Sequence, residues 1–423
     1  MTAGPPRPLR VCLDARLISG VYGGVEQVAI SLAAGLSALE DGNEEYLFLT
    51  YAGEDAWLRP YLAGRCRLLS GPPPPAPGRW KAALKAAAPP LRRAWHHLGA
   101  ALIRPDAAVP PSDGTVERAG ADVVHFTHQG GFRTAVPSIY HPHDLQHVHL
   151  PQYFAPRVRR LREASYGALC RQARLVAVST SWCREDVIRH FGLPAEKVQV
   201  VPLAPALDAY PQPTEGDLAA ARERFSLPDA FVLYPAQTWP HKNHLGLLEA
   251  LALLRRQGLA PPLVCTGHRN EFFPVIQRRA RERGLSDQVR FLGYVDPLAL
   301  QCLYRLARCV VIPTKFEADS APLWEAFRLG VPAACSAVTS LPRQAGDAAL
   351  LFDPDQPGEM AAALRRLWLD GGLRRTLAER GRRRAAHLTP DRSARTFRAH
   401  YRRLAGRPLT EEDRALLAER PEL

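Results

Sequence analysis

The feature that most constrains the fold is an alternation of short apolar runs with segments of helical periodicity along most of the chain. Several apolar runs are rich in Val, Leu and Ile without polar alternation, as expected of strands buried on both faces. Strands that alternate with helices form parallel sheets from βαβ units. The sequence therefore predicts an α/β fold. The predicted strands are 9–14, 45–51, 121–126, 138–140, 174–179, 198–202, 231–235, 263–267, 289–293, 309–313 and 348–352.

The alternation occurs twice, and residues 203–217 between the two sets are rich in Pro and Asp and lack periodicity. We predict a first Rossmann-like domain at 1–205, a linker at 206–219 and a second Rossmann-like domain at 220–388. Helices at 389–423 should cross back to the first domain. Two such domains are expected to face each other across a cleft at the carboxyl ends of their strands, where α/β folds bind ligands.

Composition and charge narrow the class of protein. The formal net charge is +13, but the excess is almost all arginine dispersed along 423 residues, without a nucleic-acid-binding signature. No apolar run reaches the roughly 18 residues of a membrane span, and the first residues have no apolar signal segment. The eight cysteines form no CxxC pair and lie mainly in apolar runs, as reduced core thiols would. We expect a cytoplasmic protein that does not bind nucleic acid.

A Pro/Ala-rich, basic insert spans residues 71–111. Two short helices are predicted there, with Trp80 and Trp95 on their apolar sides. Basic amphipathic helices that carry Trp favour membrane interfaces, so residues 80–104 are predicted to contact an anionic membrane peripherally. The alternative is a flexible connector over the first sheet.

Two glutamates flank a predicted helix start after the strand at 309–313. Glu317 should lie in the loop, Pro322 at the first helical position and Glu325 in the first turn. Free N–H groups at such a helix start bind anions, and carboxylates accept hydrogen bonds from sugar hydroxyls. The pattern indicates a nucleotide-sugar site, the alternative being a solvated helix start. The N–H groups concerned belong to Ala321, Leu323 and Trp324.

A lysine stands where another helix should begin. After the strand at 231–235, Lys242 and Asn243 open a helical segment, and Lys242 is one of only five lysines in the chain. The helix dipole disfavours a cation at this end unless an anion such as a diphosphate occupies the same place. The alternative is a surface lysine in a βα loop.

Three further patterns come from glycine, histidine and aspartate. Gly23 and Gly24, between the first strand and first helix, allow close backbone approach to a ligand, although GxGxxG is absent. Residues 125–149 hold six histidines, but without a nearby cysteine or HExxH a metal is not expected. His143 follows a strand and suits contact with a transferred sugar. The DPD at 353–355 is predicted to be a turn that ends a strand.

Taken together, these segments resemble the retaining glycosyltransferases of family four, which have two Rossmann-like domains in the GT-B arrangement and include bacterial mannosyl- and glucosyltransferases. The resemblance rests on LDARLISGVYGGVEQV, HDLQHVHLP, HKN and E-x7-E in this order. It implies that Lys242 contacts the donor diphosphate and Glu325 the ribose hydroxyls. It also implies that Glu317 and His143 lie at the transferred sugar.

The chain departs from the family pattern at two places. Gln237 stands where many members carry a basic residue, and ADSA replaces a glycine-rich stretch after Glu317. Stabilisation of the diphosphate is therefore expected to depend more on Lys242, the helix N-terminus and Lys315. The predicted catalytic residues are His143, Lys242 and Glu317, and the predicted donor-binding residues are Gly23, Gly24, Gln237, Lys242, Asn243, Lys315, Ala321, Leu323 and Glu325.

The function predicted from the sequence is transfer of a hexose, mannose or glucose, from a nucleotide-diphosphate sugar with retention at the anomeric carbon. The acceptor is expected to be a glycan or a lipid-linked precursor in cell-envelope or polysaccharide biosynthesis, and neither cofactor nor metal is expected. The alternatives are a nucleotide-sugar epimerase of similar fold and a non-catalytic protein that binds nucleotide sugars or anionic polymers.

Overall fold

A computed structural model describes residues 7–20, 23–75 and 108–421. The chain divides into two compact units. Unit 1 comprises residues 1–206 and 389–422, and unit 2 comprises residues 207–388. The predicted insert helices and the membrane contact at 80–104 fall largely or wholly within 76–107, outside the described residues.

The described residues of unit 1 form a sheet of seven strands, all parallel, in the order β3-β2-β1-β4-β5-β6-β7. The central strands are buried on both faces, which explains their continuous apolar sequences. The strands are β1 Leu9–Asp14, β2 Glu44–Thr50, β3 Cys66–Ser70, β4 Val123–Phe126, β5 Ser138–Tyr140, β6 Leu175–Val178 and β7 Val198–Val200.

The helices described in unit 1 connect these strands, and two further helices lie in its C-terminal segment. They are α1 Gly24–Ser37, α2 Thr115–Arg118, α3 Gln146–His149, α4 Pro156–Gln172 and α5 Ser181–Phe191, followed after unit 2 by α14 Pro390–Leu404 and α15 Glu411–Ala418. Short 3-10 turns lie at Arg59–Tyr61, Pro151–Tyr153 and Ala195–Lys197.

The C-terminal segment packs closely against the first helix and second strand of unit 1. A Cβ atom on Gly35 of α1 would lie 2.3 Å from the Pro390 carbonyl oxygen, so only glycine allows this approach. Arg402 of α14 is buried and donates to Glu44 at 2.7 Å and to Asp413 at 2.8 Å. The buried guanidinium is therefore paired with two carboxylates, as burial of a charge requires.

Unit 2 has a six-stranded parallel sheet in the order β10-β9-β8-β11-β12-β13. Alternate residues of one strand enter different cores: Val232 and Tyr234 of β8 pack on one face, and Leu233 packs on the other. The sheet is thus covered on both sides. Its strands are β8 Val232–Pro235, β9 Leu263–Thr266, β10 Val289–Gly293, β11 Cys309–Ile312, β12 Ala333–Ser336 and β13 Ala349–Phe352.

The helices of unit 2 begin inside the segment predicted to be a linker. A 3-10 turn at Ala206–Ala209 is followed by α6 Glu215–Arg224, whose start is fixed by a capping box between Thr214 and Asp217. This T-x-x-D signal was readable in the sequence and outweighs the high proline content just before it. The remaining helices are α7 His244–Arg256, α8 Phe273–Glu282, α9 Pro297–Leu306, α10 Ala321–Leu329, α11 Leu341–Ala345, α12 Pro357–Leu369 and α13 Gly371–Ala385, with a 3-10 turn at Pro240–Lys242.

The sheet orders locate the ligand-binding edge of each unit. In a doubly wound sheet the crevice lies where the strand order reverses, outside the carboxyl ends of the strands. The reversal falls between β1 and β4 in unit 1 and between β8 and β11 in unit 2. The loops that follow these four strands are therefore the places to look for a site.

Other expectations can be compared with the described residues. All eight cysteines are free and buried. The DPD segment forms a turn after β13, in which the Asp355 N–H donates to the Asp353 carboxylate at 2.8 Å. In the described part of the chain, no helix is long and apolar enough to cross a membrane.

Candidate active site

The loop after β8 holds Lys242 in a fixed place. Asn243 caps α7 in a left-handed conformation with φ of 58° and accepts from the Gly246 N–H at 3.3 Å. Its amide group also donates to the Pro354 carbonyl at 2.9 Å. The Tyr234 hydroxyl donates to the carbonyl of Lys242 itself. Lys242 thus lies immediately before the helix, as predicted, while Asn243 is engaged in holding the loop.

The loop after β11 places Glu317 opposite this lysine. The Glu317 N–H donates to the Thr339 hydroxyl at 3.0 Å, and its carbonyl accepts from the Ser340 hydroxyl at 2.8 Å. Lys242 Nζ donates to Glu317 Oε2 at 2.8 Å. The two side chains are 22% and 13% exposed, so the pair remains reachable by a ligand. Two predicted residues that are 75 positions apart therefore meet at the switch point of unit 2.

The start of α10 differs from the prediction. The helix begins at Ala321, so Glu325 lies in the second turn rather than in the first. The N–H groups of Leu323 and Trp324 donate to the Ser320 carbonyl at 3.1 and 3.2 Å. They are consequently not free to bind an anion. The Trp324 N–H is the fourth of the helix and makes its first regular hydrogen bond, and the Leu323 N–H shares the same acceptor. The prediction of a three-donor anion site was wrong in this respect.

Glu325 is a buried carboxylate with a hydroxyl partner. The Tyr304 hydroxyl, on α9, donates to Glu325 Oε2 at 2.6 Å. Burial raises the pKa of Glu325, and the hydrogen bond from Tyr304 partly offsets that rise. A buried carboxylate gains from further neutral O–H donors, which is the chemistry of ribose hydroxyls. Tyr304 was not identified from the sequence.

Two predicted donor-binding side chains already have partners within the chain. Gln237 accepts from the Trp239 indole N–H at 2.8 Å. Lys315 forms an ion pair with Asp355, while its backbone N–H donates to the His241 carbonyl at 2.8 Å. The loops after β8 and β11 are therefore tied together by backbone as well as by the Lys242–Glu317 pair. A ligand would have to compete with Asp355 for the charge of Lys315.

The glycines of unit 1 lie at the start of α1. Gly23 precedes the helix with φ of 54° and ψ of −116°, a conformation that strongly favours glycine. Gly24 is the first helical residue, and a Cβ atom there would meet no atom of the described residues within 4 Å. The described residues thus leave room beside Gly24, in keeping with its predicted contact with a ligand.

His143 follows β5 in a strained conformation. Its φ is 61°, uncommon for a residue with a side chain, and its Nε2 lies 2.8 Å from the Thr127 carbonyl oxygen. Because a carbonyl oxygen can only accept, Nε2 carries the proton in this bond. Burial lowers the pKa of His143, which favours the neutral ring. The ring then presents Nδ1 as an acceptor, as a contact with a sugar hydroxyl requires.

An ion pair at the switch point of unit 1 was not predicted as part of a site. Asp14, at the end of β1, is fully buried and accepts two hydrogen bonds from the Arg16 guanidinium, both at 2.8 Å. Burial alone would raise the pKa of Asp14, but Arg16 and the nearby His128 outweigh it and hold the pKa well below its usual range. Thr127, which positions His143, donates its hydroxyl to the Asp14 carbonyl at 2.7 Å. The signal in the sequence that could have identified this pair was two opposite charges, Asp14 and Arg16, at the end of a buried strand.

Three of the six histidines in residues 125–149, His125, His141 and His147, are buried in unit 1. His125 and His141 are buried and stack with ring centroids 5.0 Å apart, and His125 Nδ1 lies 2.6 Å from the Tyr401 hydroxyl of α14. Within the described residues, no group of three or more His, Cys, Asp or Glu side chains is placed to hold a metal ion.

Comparison with known proteins identifies the family. A sequence model described as Glycosyltransferase Family 4 matches residues 22–204, and one described as Glycosyl transferases group 1 matches residues 219–384. O-antigen chain mannosyltransferase B of Escherichia coli is 31% identical over 56% of this chain and 63% of its own length. The chain thus spans less than two thirds of that relative. D-inositol 3-phosphate glycosyltransferase of Actinosynnema mirum is 30% identical over 64% of this chain and 67% of its own length.

Solved structures support the same fold. The crystal structure of HepE from Anabaena, in complex with UDP and glucose, superposes with a TM-score of 0.67 at 16% identity. The match covers 93% of this chain and 99% of that chain. The predicted α/β class with two Rossmann-like domains is confirmed. The chain belongs to glycosyltransferase family four, as its sequence motifs indicated.

Proposed function

We propose that the protein transfers a hexose from a nucleotide-diphosphate sugar to a glycan or lipid-linked acceptor, with retention at the anomeric carbon. The observation that carries the proposal is the Lys242–Glu317 pair, 2.8 Å apart, between the loops after β8 and β11 at the switch point of unit 2. A cation and a carboxylate at this edge suit a ligand that has both a diphosphate and sugar hydroxyls. Mannose and glucose are the proposed sugars, since one relative is a mannosyltransferase and a structural neighbour holds UDP and glucose.

The difficult step is departure of the nucleoside diphosphate from an oxocarbenium-like centre. We propose that Lys242 exchanges its contact with Glu317 for the diphosphate and stabilises the charge that develops on it. Glu317, released from the lysine, then accepts hydrogen bonds from hydroxyls of the transferred sugar. The buried Glu325 binds the ribose hydroxyls alongside the Tyr304 hydroxyl.

The acceptor is proposed to attack on the face from which the diphosphate leaves. The bond from the anomeric carbon to the diphosphate oxygen breaks, the bond to the acceptor oxygen forms, and a phosphate oxygen takes the acceptor proton. Neither an enzymic nucleophile nor a metal ion is part of this scheme. His143, through Nδ1, is proposed to accept a hydrogen bond from the transferred sugar. A cytoplasmic location and a role in envelope or polysaccharide biosynthesis remain predictions.

The test is a thermal-shift panel of UDP, GDP and ADP and their hexose conjugates. A ligand at 100 times its dissociation constant should stabilise the protein by about 2.7 kcal/mol. We expect one nucleotide series to give a shift that Lys242→Ala and Glu325→Ala both largely remove. Arg255→Ala serves as the control, because it removes an exposed cation in unit 2 that pairs with Asp287. Absence of a shift with every nucleotide would contradict the proposal and favour the non-catalytic alternative.

A further inference from the structure

We propose that Asp355 binds a second lysine of the donor site, Lys315, and releases it to the diphosphate when the leaving group gains charge. The inference rests on the proposed function, because it names a further cation for the same ligand. Lys315 and Asp355 form an ion pair between the loop after β11 and the turn after β13. Their side chains are 33% and 67% exposed. Such an exposed pair is weak, so its partners can be exchanged at little cost.

The backbone brings this second ion pair beside Lys242. The residue before Lys242 accepts, through its carbonyl oxygen, a hydrogen bond from the Lys315 N–H at 2.8 Å. The residue after it, Asn243, donates from its side-chain amide to the carbonyl of Pro354 at 2.9 Å. Pro354 directly precedes Asp355. The two members of the second pair are thus anchored to the two immediate neighbours of Lys242. Because a lysine has a long, flexible stem, both ammonium groups are within reach of one diphosphate.

The charges of these loops explain why a second cation matters. Residues 236–243, 313–320 and 353–356 contain two lysines and no arginine, against four acidic residues. Both lysines are paired with carboxylates. A diphosphate therefore binds either lysine only by displacing a carboxylate from it. An edge with this excess of negative charge needs both of its lysines to stabilise a departing diphosphate.

The two displacements occur at different stages of the reaction. Glu317, released from Lys242, can bind hydroxyls of the transferred sugar, so this exchange accompanies binding of the donor. Asp355 gains no such partner from the donor and keeps Lys315. When the bond to the anomeric carbon breaks, its electron pair stays on the diphosphate oxygen, which carries one more negative charge until the acceptor proton reaches it. The added charge draws Lys315 away from Asp355. Lys315 therefore stabilises the transition state and the released nucleoside diphosphate more than the intact donor.

The test compares the affinity for a nucleoside diphosphate with that for its hexose conjugate. Calorimetry is done with whichever of UDP, GDP and ADP gives the thermal shift, and with its conjugate. Lys315→Met should weaken binding of the nucleoside diphosphate about tenfold and of the conjugate less than about threefold. Lys315→Arg keeps the charge and should stay within about threefold of the wild type. Asp355→Asn should tighten binding of the nucleoside diphosphate about threefold, and this gain should vanish in the Lys315→Met background.

The matched control is Asp287→Asn, which removes an exposed carboxylate of unit 2 that pairs with Arg255. Arg255 lies in the last turn of α7 and Asp287 precedes β10, so this pair is at the opposite edge of the sheet. Its affinities should stay within about twofold of the wild type.

The outcomes separate this inference from the function on which it rests. If Asp355→Asn tightened binding equally with and without Lys315, the effect would be simple charge repulsion and the inference would be wrong. Equal losses for the two ligands in Lys315→Met, or no loss for either, would also overturn it while the proposed function stands. If the wild type bound no nucleotide at all, the proposed function would fail, and this inference with it.

Discussion

The switch points of the two units each hold an ion pair, but the carboxylates of the two pairs differ in burial and in the number of hydrogen bonds they accept from the cation. In unit 1, Asp14 is fully buried and bound by Arg16 through both carboxylate oxygens. In unit 2, Lys242 and Glu317 share one hydrogen bond and remain 22% and 13% exposed. A pair that joins a fully buried carboxylate through two hydrogen bonds holds the structure together. A pair joined by one hydrogen bond, with both partners partly exposed, can exchange a partner for a ligand.

The two ion pairs therefore have different roles, although their side chains are similar. In unit 1 the backbone carbonyl of Asp14 accepts from the Thr127 hydroxyl, and the Thr127 carbonyl accepts from His143 Nε2. The carboxylate of Asp14 and the guanidinium of Arg16 bind each other and stabilise the end of β1. The unit 2 pair offers its own charges to the diphosphate and sugar. Substitutions should therefore separate stability in unit 1 from ligand binding in unit 2.

The largest expected effect is on stability and comes from Asp14→Asn. Removing one partner of a buried ion pair typically costs about 3–5 kcal/mol of the free energy of unfolding. We expect the lower end of this range, because Arg16 is 15% exposed and lies 3.8 Å from the Asp113 carboxylate. Denaturant unfolding measures the loss, and calorimetry should show unchanged nucleotide affinity. Asp347→Asn is the control, since that 74% exposed partner of Arg380 should cost under about 1 kcal/mol. Lost nucleotide affinity with unchanged stability would contradict the supporting role of Asp14.

The next effect is on turnover and concerns the unit 2 pair. Lys242→Met and Glu317→Gln should each lower the rate of donor turnover about 10²–10³-fold, as loss of a charge-stabilising group does. Stability should change less than in Asp14→Asn, because both partners keep some contact with water. The measurement is hydrolysis or transfer with the donor identified by thermal shift.

A double-mutant cycle sharpens this result. Since Lys242 and Glu317 act on the same ligand and contact each other, the double variant should lose less than the product of the single losses. Arg255→Met with Asp287→Asn, an exposed pair at 2.9 Å in the same unit, should leave turnover unchanged. A large loss of stability without loss of turnover would make the Lys242–Glu317 pair structural.

The sequence predicted much of the fold because doubly buried strands appear as continuous apolar runs. It missed β3 and β12 for physical reasons. Strand β3 is a short edge strand that contains Arg67, and β12 consists of small residues, AACS, which have little intrinsic strand preference. Both strands form because they pair with neighbouring strands, and the local sequence does not specify that pairing.

Individual residues of the candidate site could be predicted from the sequence, but the contacts between them could not. Lys242 and Glu317 each stand out beside a helix start, yet their contact depends on β8 and β11 being neighbours in the sheet. Asp14 was interpreted as the end of a strand, because nothing local shows that Arg16 turns back onto it. The N–H groups at the start of α10 were wrongly predicted to be free, because the helix begins at Ala321, one residue before the proline that was taken as its first residue.

The smallest expected effect concerns His141, in the core of unit 1. Both ring nitrogens are buried without a hydrogen-bond partner among the described residues, and the ring stacks near His125 and Phe397. Burial lowers the pKa of His141 well below its usual range, so the folded protein keeps the ring neutral. The unfolded chain takes up a proton once the pH falls below about 6.5, and folding stability must fall with it, by about 1.4 kcal/mol per pH unit.

At pH 8 this cost is absent, and at pH 5 it reaches about 2 kcal/mol for one such histidine. His141→Phe keeps the ring packing but removes the titration, so its stability relative to the wild type should rise by that amount between pH 8 and pH 5. Phe397→Leu disturbs the same contact without removing a titratable group, and its cost should be equal at both values. Denaturant unfolding at the two pH values measures the difference. If His141→Phe followed the wild-type pH dependence, protonation elsewhere would control the acid stability of unit 1, and the buried histidines would be ordinary packing residues in this respect.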